Sequence, residues 1–271
     1  MAVPPHGYLP YNKDIPAGNE TALMFAARVG DLESARLLLG AGASPNDADA
    51  SGVSATAMAA HAGFTEIVEL LLEKGADPNT SGAGFTALHA AVMRRDDRMV
   101  SALLAHKADA NAKVLSWTPT RRSSRDWNFN PEFVGATPYW LAARVTAPSI
   151  MKMLLEHGAD GKVVHHADYH GGDPIVERSQ TTTPLTAALG MGGGVPWVAI
   201  EPARREALAL ESAKIALEHG AEVNLPNDDG RTALDGAKRL RYESVVAFLT
   251  EHGATAGASN GRSRPDAATN R

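Results

Sequence analysis

A short segment recurs along this chain, and the recurrence limits its fold more than any other feature. Thr21-Ala22-Leu23-Met24-Phe25-Ala26-Ala27-Arg28-Val29-Gly30 returns in altered form as the segment from Ser54 to Gly63, so that Gly30 and Gly63 lie 33 residues apart. Thr86-Ala87-Leu88-His89-Ala90, Thr137-Pro138-Tyr139-Trp140-Leu141, Thr183-Pro184-Leu185-Thr186-Ala187 and Thr232-Ala233-Leu234-Asp235 open further copies. Each opening is followed by a second apolar block, such as Ile67-Val68-Glu69-Leu70-Leu71-Leu72 or Ile150-Met151-Lys152-Met153-Leu154-Leu155. Each block then stops at a Gly-Ala-Asp type of ending: Gly42-Ala43, Gly75-Ala76-Asp77, Lys107-Ala108-Asp109, Gly158-Ala159-Asp160, Gly220-Ala221-Glu222 and Gly253-Ala254. A unit of this size cannot bury its own apolar face, so the copies must stack on one another.

The local chemistry fits such a stack. Thr or Ser at the first position caps a short helix. Paired alanines let two helices approach closely, and Gly after the second helix takes the left-handed conformation. The Asp/Asn-Gly or Gly-rich stretch that follows turns a two-stranded finger. On these motifs the chain resembles the ankyrin-repeat family, in a bacterial-type form with elongated fingers in repeats 4 and 5. The resemblance covers roughly residues 18 to 255. It implies an all-α solenoid of about six helix-pair repeats with β-hairpin fingers and three insertions. Repeats are expected to start near 18, 51, 84, 135, 181 and 230 of an ankyrin-repeat domain spanning 18–256. Residues 1–17, with four prolines, read as an extended lead-in, and 257–271 as a disordered tail. Some copies depart from the pattern. Thr56 stands for Leu, Arg95 and Lys107 stand for glycines, and Arg241-Tyr242 stands for Gly-His in a polar last repeat.

Composition excludes several function classes. Net charge is −5 over 271 residues, which argues against a general nucleic-acid binder. There are no cysteines, so disulfides, thiol catalysis and Cys-type zinc sites are ruled out. No apolar run approaches the ~20 residues that span a bilayer, and Met1 to Ala17 does not read as a signal peptide. A soluble monomer is expected, in the cytoplasm, or in the periplasm or outside the cell if a leader has been removed.

Three insertions break the period, near 112–136, 162–182 and 190–202. The first carries Trp117 and Trp127, two of the four tryptophans, with Arg121, Arg122, Arg125, Asp126, Asn128 and Asn130. The second carries His165-His166-Ala167-Asp168-Tyr169-His170, and the third carries Trp197 after Gly190-Met191-Gly192-Gly193-Gly194. Tryptophan, tyrosine and arginine dominate recognition energetics. The same aromatics also serve to bind loops onto a solenoid, and both readings stand at this stage. Successive fingers are neighbours, so the first two insertions should stand side by side over repeats four and five.

The resemblance places certain inner-helix positions on the concave face, the usual binding face of a solenoid. They are Phe25 and Arg28, Met58 and His61, Ala90 with Met93 and Arg94, Leu141 and Arg144, then Gly236 and Arg239. The arginines imply an anionic or carboxylate-bearing ligand; a solvated helix face is the alternative. The expected ligand-binding set is Arg121, Arg122, Trp127, Asn128, Asn130, Trp140, Arg144, Tyr169, Trp197 and Arg239.

On an extended strand His166, Asp168 and His170 share one face. Two histidines and a carboxylate suit zinc or non-heme iron, but alternate residues lie ~6.6 Å apart, so three in a flat row do not easily converge on one ion. A divalent metal is therefore a candidate rather than a requirement, and no other cofactor is indicated. The same groups, with Asp126, are candidates for acid–base catalysis. The glycine run lacks the Lys-Ser/Thr ending of a P-loop. Two functions compete. One is a binding protein that recognises a protein or an anionic ligand through groove and fingers. The other is an enzyme or small-molecule binder in which Trp127, Trp140, Arg144, His166, Asp168 and His170 converge in one pocket.

Overall fold

The computed structural model describes residues 18–118, 129–171, 176–194 and 196–258. These form twelve α-helices in six antiparallel pairs: α1 (Ala22–Val29) with α2 (Leu32–Gly40), α3 (Ala55–Ala62) with α4 (Thr65–Glu73), α5 (Ala87–Arg94) with α6 (Asp97–Ala105), α7 (Pro138–Arg144) with α8 (Pro148–Glu156), α9 (Pro184–Ala188) with α10 (Pro202–Glu218), and α11 (Ala233–Leu240) with α12 (Glu243–Glu251). Odd-numbered helices pack on odd and even on even, giving an inner and an outer row. A 3-10 turn (Pro131–Phe133) precedes α7, and one antiparallel hairpin, β1 (His165–Gly171) and β2 (Val176–Thr182), separates α8 from α9. The helix-pair solenoid with hairpin insertions expected from sequence is what forms. No helix among the described residues is long and apolar enough to cross a membrane.

Local sequence sets the helix ends. Oγ1 of Thr21, Thr137 and Thr183 and Oγ of Ser54 each accept a backbone N–H three residues on, at 3.2–3.4 Å. In α5 the Thr86 N–H donates to Nδ1 of His89 at 3.0 Å, so a histidine completes the cap. Inner helices end on left-handed residues, whether glycine (Gly30, φ +82°) or not (Arg95, +59°; Thr146, +49°; Arg241, +58°). The arginines thus adopt the glycine conformation of their sister repeats.

Inner helices touch neighbours on both sides, and the paired alanines Ala59-Ala60, Ala90-Ala91 and Ala142-Ala143 are fully buried. The outer row contributes Leu71, Leu103 and Leu154, each buried completely and each stabilising the stack by about 1.5–3 kcal/mol.

A second set of bonds links the turns below the helices. Asn46 donates to the Gly75 carbonyl (3.0 Å) and accepts from the Asp77 N–H (2.7 Å). Asn79 does the same to Lys107 and Asp109, and Asn111 to Gly158 and Asp160. Asn224 repeats it on Gly253 and Thr255. Between repeats four and five the position is Lys162, whose aliphatic stem lies over Gly220 and makes no such rung. A cleft of about 590 Å³ opens there, lined by Lys152, Glu156, Asp160, Lys162 and His219 among others. At the C-terminal end the Gly257 N–H donates to Asp235 at 2.8 Å.

Candidate functional site

The first insertion returns to the stack at Phe129. Its N–H donates to Thr118 Oγ1 at 3.2 Å and its carbonyl accepts from the Thr118 N–H at 3.0 Å. The Phe129 ring is 1% exposed, 4.6 Å from the Phe85 ring and 5.1 Å from Trp197. Phe133, in the 3-10 turn, is fully buried against Trp140. This arm is anchored apolar structure.

The second insertion is the hairpin. Alternation holds along β1: His165 and Ala167 are buried, while His166 and Asp168 are exposed. The His165 ring lies 4.3 Å from Trp140, and its Nε2–H donates to the Glu132 carbonyl at 2.8 Å, which ties the hairpin to the first insertion. Burial is the main cause that lowers the His165 pKa, so the ring is neutral and carries its proton on Nε2. The Trp140 indole N–H donates to Thr182 Oγ1 at 3.2 Å. On the outer face His166 Nε2 is 3.5 Å from Asp168 Oδ2, and Nδ1 is 2.9 Å from Thr181 Oγ1.

The third insertion crosses the concave groove. Arg144 holds it there, donating Nε–H to the Gly193 carbonyl (2.9 Å) and Nη2–H to the Gly194 carbonyl (2.8 Å). Arg239 Nη2 donates to the Gly190 carbonyl at 3.2 Å. The glycines permit this seat. A Cβ on Gly192 would stand 2.6 Å from the Trp140 ring, and one on Gly194 2.1 Å from Phe133, both at left-handed φ. Beyond the run, Trp197 packs edge-on to His61 at 4.9 Å, three repeats earlier in the chain. Met58, His61, Ala90, Met93 and Leu141, assigned to the concave face by the resemblance, are all buried.

An open hollow on this side has a volume of about 780 Å³. Its floor is the C-terminal ends of α7, α9 and α11, contributed by Arg144, Val145, Ala188 and Leu240, with Thr146, Gly190 and Tyr242 just beyond. Its roof is Pro196–Ile200, with Asn130 at one side and Arg205 from α10 at the other. Thr146 holds φ +49°, a strained value for a β-branched residue. Its carbonyl accepts from Arg95 Nη2 at 3.0 Å, while Arg95 Nε is buried with no partner among the described residues. Burial lowers the Arg144 pKa first and the nearby Arg239 charge lowers it further; Arg95 is lowered by burial and then by Arg204. Cations therefore crowd this end of the groove. The carboxylates acting on them are Glu132 near Arg144 and Asp97 near Arg95, while Glu206, beside Tyr242, accepts from Ser244 N and Oγ at 2.7 Å each.

Of the expected ligand set, Asn130, Arg144 and Trp197 meet in this hollow. Trp140 is in the core, Arg239 is tied to the third insertion, and Tyr169 donates to Gln180 Oε1 at 3.4 Å on the hairpin. Arg121, Arg122, Asp126, Trp127 and Asn128 lie outside the described residues, as does the side chain of His170. His166 and Asp168 share a face as alternation requires, but that face points to solvent, away from Arg144 and Trp140. Among the described residues no three His, Asp or Glu side chains gather as a metal-ion set. Sequence reasoning missed Arg205, Tyr242, Thr146 and Val198. The only signal for them was position: an arginine pair right after the third insertion, and a non-glycine where a helix-ending glycine recurs.

The helix pairs, left-handed stops and asparagine rungs define a repeat protein built by stacking. Residues 23–114 match the family model of ankyrin repeats in three copies, and this part of the chain is an ankyrin-repeat segment. No curated protein matches the chain. Ankyrin repeats are in general protein-interaction modules.

Proposed function

We propose that this chain is a protein-recognition scaffold that receives its partner at the hollow above α7, α9 and α11, rather than along the whole groove. The observation that carries this reading is the filling of the groove. The chain's own first and third insertions cover the inner helices of repeats two to four, and Phe129 and Trp197 occupy the aromatic positions there. What stays open is a concave, mostly apolar space of about 780 Å³ with a few polar groups, the usual form of a recognition site. Val198 on its roof is 37% exposed, the exposed large apolar side chain that lines this space. The family's general role supports part of a protein as the occupant over a free small anion.

The test is differential capture. Tagged parent, Val198→Glu and Leu37→Glu are used as baits, the last altering an exposed apolar residue on the outer helix α2. Proteins held by the parent and by Leu37→Glu, but lost with Val198→Glu, support the hollow. Partners insensitive to Val198→Glu place recognition elsewhere and overturn the assignment.

A further inference from the structure

The hollow has a chemistry as well as a shape. Its apolar side is Val145, Pro196, Trp197, Val198 and Leu240. Its polar side is unequal in charge. Arg205 donates Nε–H to the Ile200 carbonyl at 3.0 Å, which fixes the guanidinium plane at the rim. Its two terminal nitrogens have no hydrogen-bond partner among the described residues, nor does the Tyr242 hydroxyl. Arg205 and Tyr242 both line the space and act electrostatically on one another. Arg144, already bonded through Nε and Nη2, keeps Nη1 without a partner among the described residues. Of the carboxylates acting on these groups, Glu206 is engaged by Ser244 and none lines the hollow. A guanidinium held by one bond, with its forked edge open, suits the two oxygens of a carboxylate.

We propose that the hollow binds an acidic segment of a partner protein, in which an Asp or Glu carboxylate lies between Arg205 and Tyr242 while an adjoining Leu- or Phe-type side chain fills the wall formed by Trp197, Val198 and Leu240. This rests on the protein-recognition reading above and adds the ligand's chemistry to it. A space of about 780 Å³ holds a few peptide residues rather than a folded surface. The strained Thr146 turn sets Val145 and Arg144 at the floor, so the site is built before the ligand arrives.

The probe is a panel of fluorescein-labelled octapeptides with a central Glu-Leu, Glu-Phe or Asp-Leu pair, each matched by a Gln or Asn counterpart. Binding to the full chain is read by fluorescence anisotropy. The carboxylate peptides are expected to bind at least about tenfold more tightly than their amide partners. Arg205→Gln, on the exposed side of α10, should remove that preference, and Arg36→Gln on α2 should leave it intact. Tyr242→Phe should weaken the Glu-Leu peptide about threefold, with circular dichroism confirming the fold of each variant. Equal affinity for Glu and Gln peptides overturns the carboxylate assignment while leaving protein recognition at the hollow standing. A preference that survives in Arg205→Gln overturns the role of that residue. If no peptide binds and only a small acid such as phenylacetate does, the ligand is not a protein segment. Loss of partner capture by Val198→Glu is measured separately, so failure of the two readings is distinguishable.

Discussion

Removing the guanidinium of Arg144 should open the third insertion without unstacking the helices. Arg144→Met keeps the aliphatic stem and deletes the two bonds to Gly193 and Gly194 at 2.9 and 2.8 Å. A charge-assisted bond of this kind contributes about 1.5–3 kcal/mol when buried. Both carbonyls belong to half-buried residues and regain water when the seat is lost, so about 1 kcal/mol each is a fair discount. Burial itself disfavours the charged Arg144, which lowers the net cost of losing it. A loss near 2 kcal/mol raises the population of the unseated loop about 30-fold. When opening is fast relative to cleavage, proteolysis follows that population. Chymotrypsin cleavage after Trp197 should therefore accelerate about 30-fold, while the urea midpoint of the helical signal moves far less. The packing of α7 on α5, α8 and α9 rests on its fully buried Tyr139, Trp140, Leu141, Ala142 and Ala143. Cleavage within threefold of the parent would falsify the view that Arg144 is the clasp of this segment. A global collapse of the helical signal would show instead that the guanidinium supports the stack.

Acid should weaken the fold through two histidines. Burial lowers the pKa of His89 to about 4, and lowers that of His61 to about 3 with help from the Arg94 charge. The unfolded chain takes up these protons near pH 6.5 while the folded chain does not, so stability is complete above 6.5 and falls as pH drops towards 4. For His89 the loss is about 3 kcal/mol at most, and His89→Gln should flatten the urea midpoint between pH 6.5 and 4. For the turn ladder, Asn79→Ala removes bonds of 3.0 and 2.7 Å and should cost about 1–2 kcal/mol in urea unfolding. Lys162→Asn should add about 1 kcal/mol by supplying the missing rung, and no gain would mean the spacing there is set by something else.

Much of the stack was legible because each repeat states its own rules. Thr at the cap, paired alanines and a glycine stop are local signals, and six copies confirm one another. The sharing of faces on the hairpin was legible for the same reason, since alternation puts His166 with Asp168 and His165 with Ala167, but which face turns inward was not. The destination of the third insertion was not. A glycine run declares where backbone can bend, not what it will lie against, and the contact of Trp197 with His61 is made across three repeats. Trp140 and Arg144 carry the same ambiguity. An aromatic and a cation on an inner helix look like ligand groups until Thr182 and the Gly193 and Gly194 carbonyls are seen to engage them. Arg205 gained its place only because α10 begins at Pro202 and runs 17 residues, nearly twice the length of the other outer helices.

The lysine that replaces an asparagine at position 162 has a mechanical meaning. In an array where each layer leans only on its neighbours, the boundary with the fewest cross-ties is the one that parts first under load. Between repeats four and five the missing tie is at the turns alone, since Trp140 to Thr182, Arg144 to Gly193 and Gly194, and Lys152 to Glu211 hold the same boundary at the helices, so load should open its turn side first, between four layers and two. That seam also divides the hollow's floor, since α7 stands on one side of it and α9 and α11 on the other. Any strain that spreads the seam would therefore widen the mouth of the site, so that tension on the chain and occupancy of the hollow become opposing quantities.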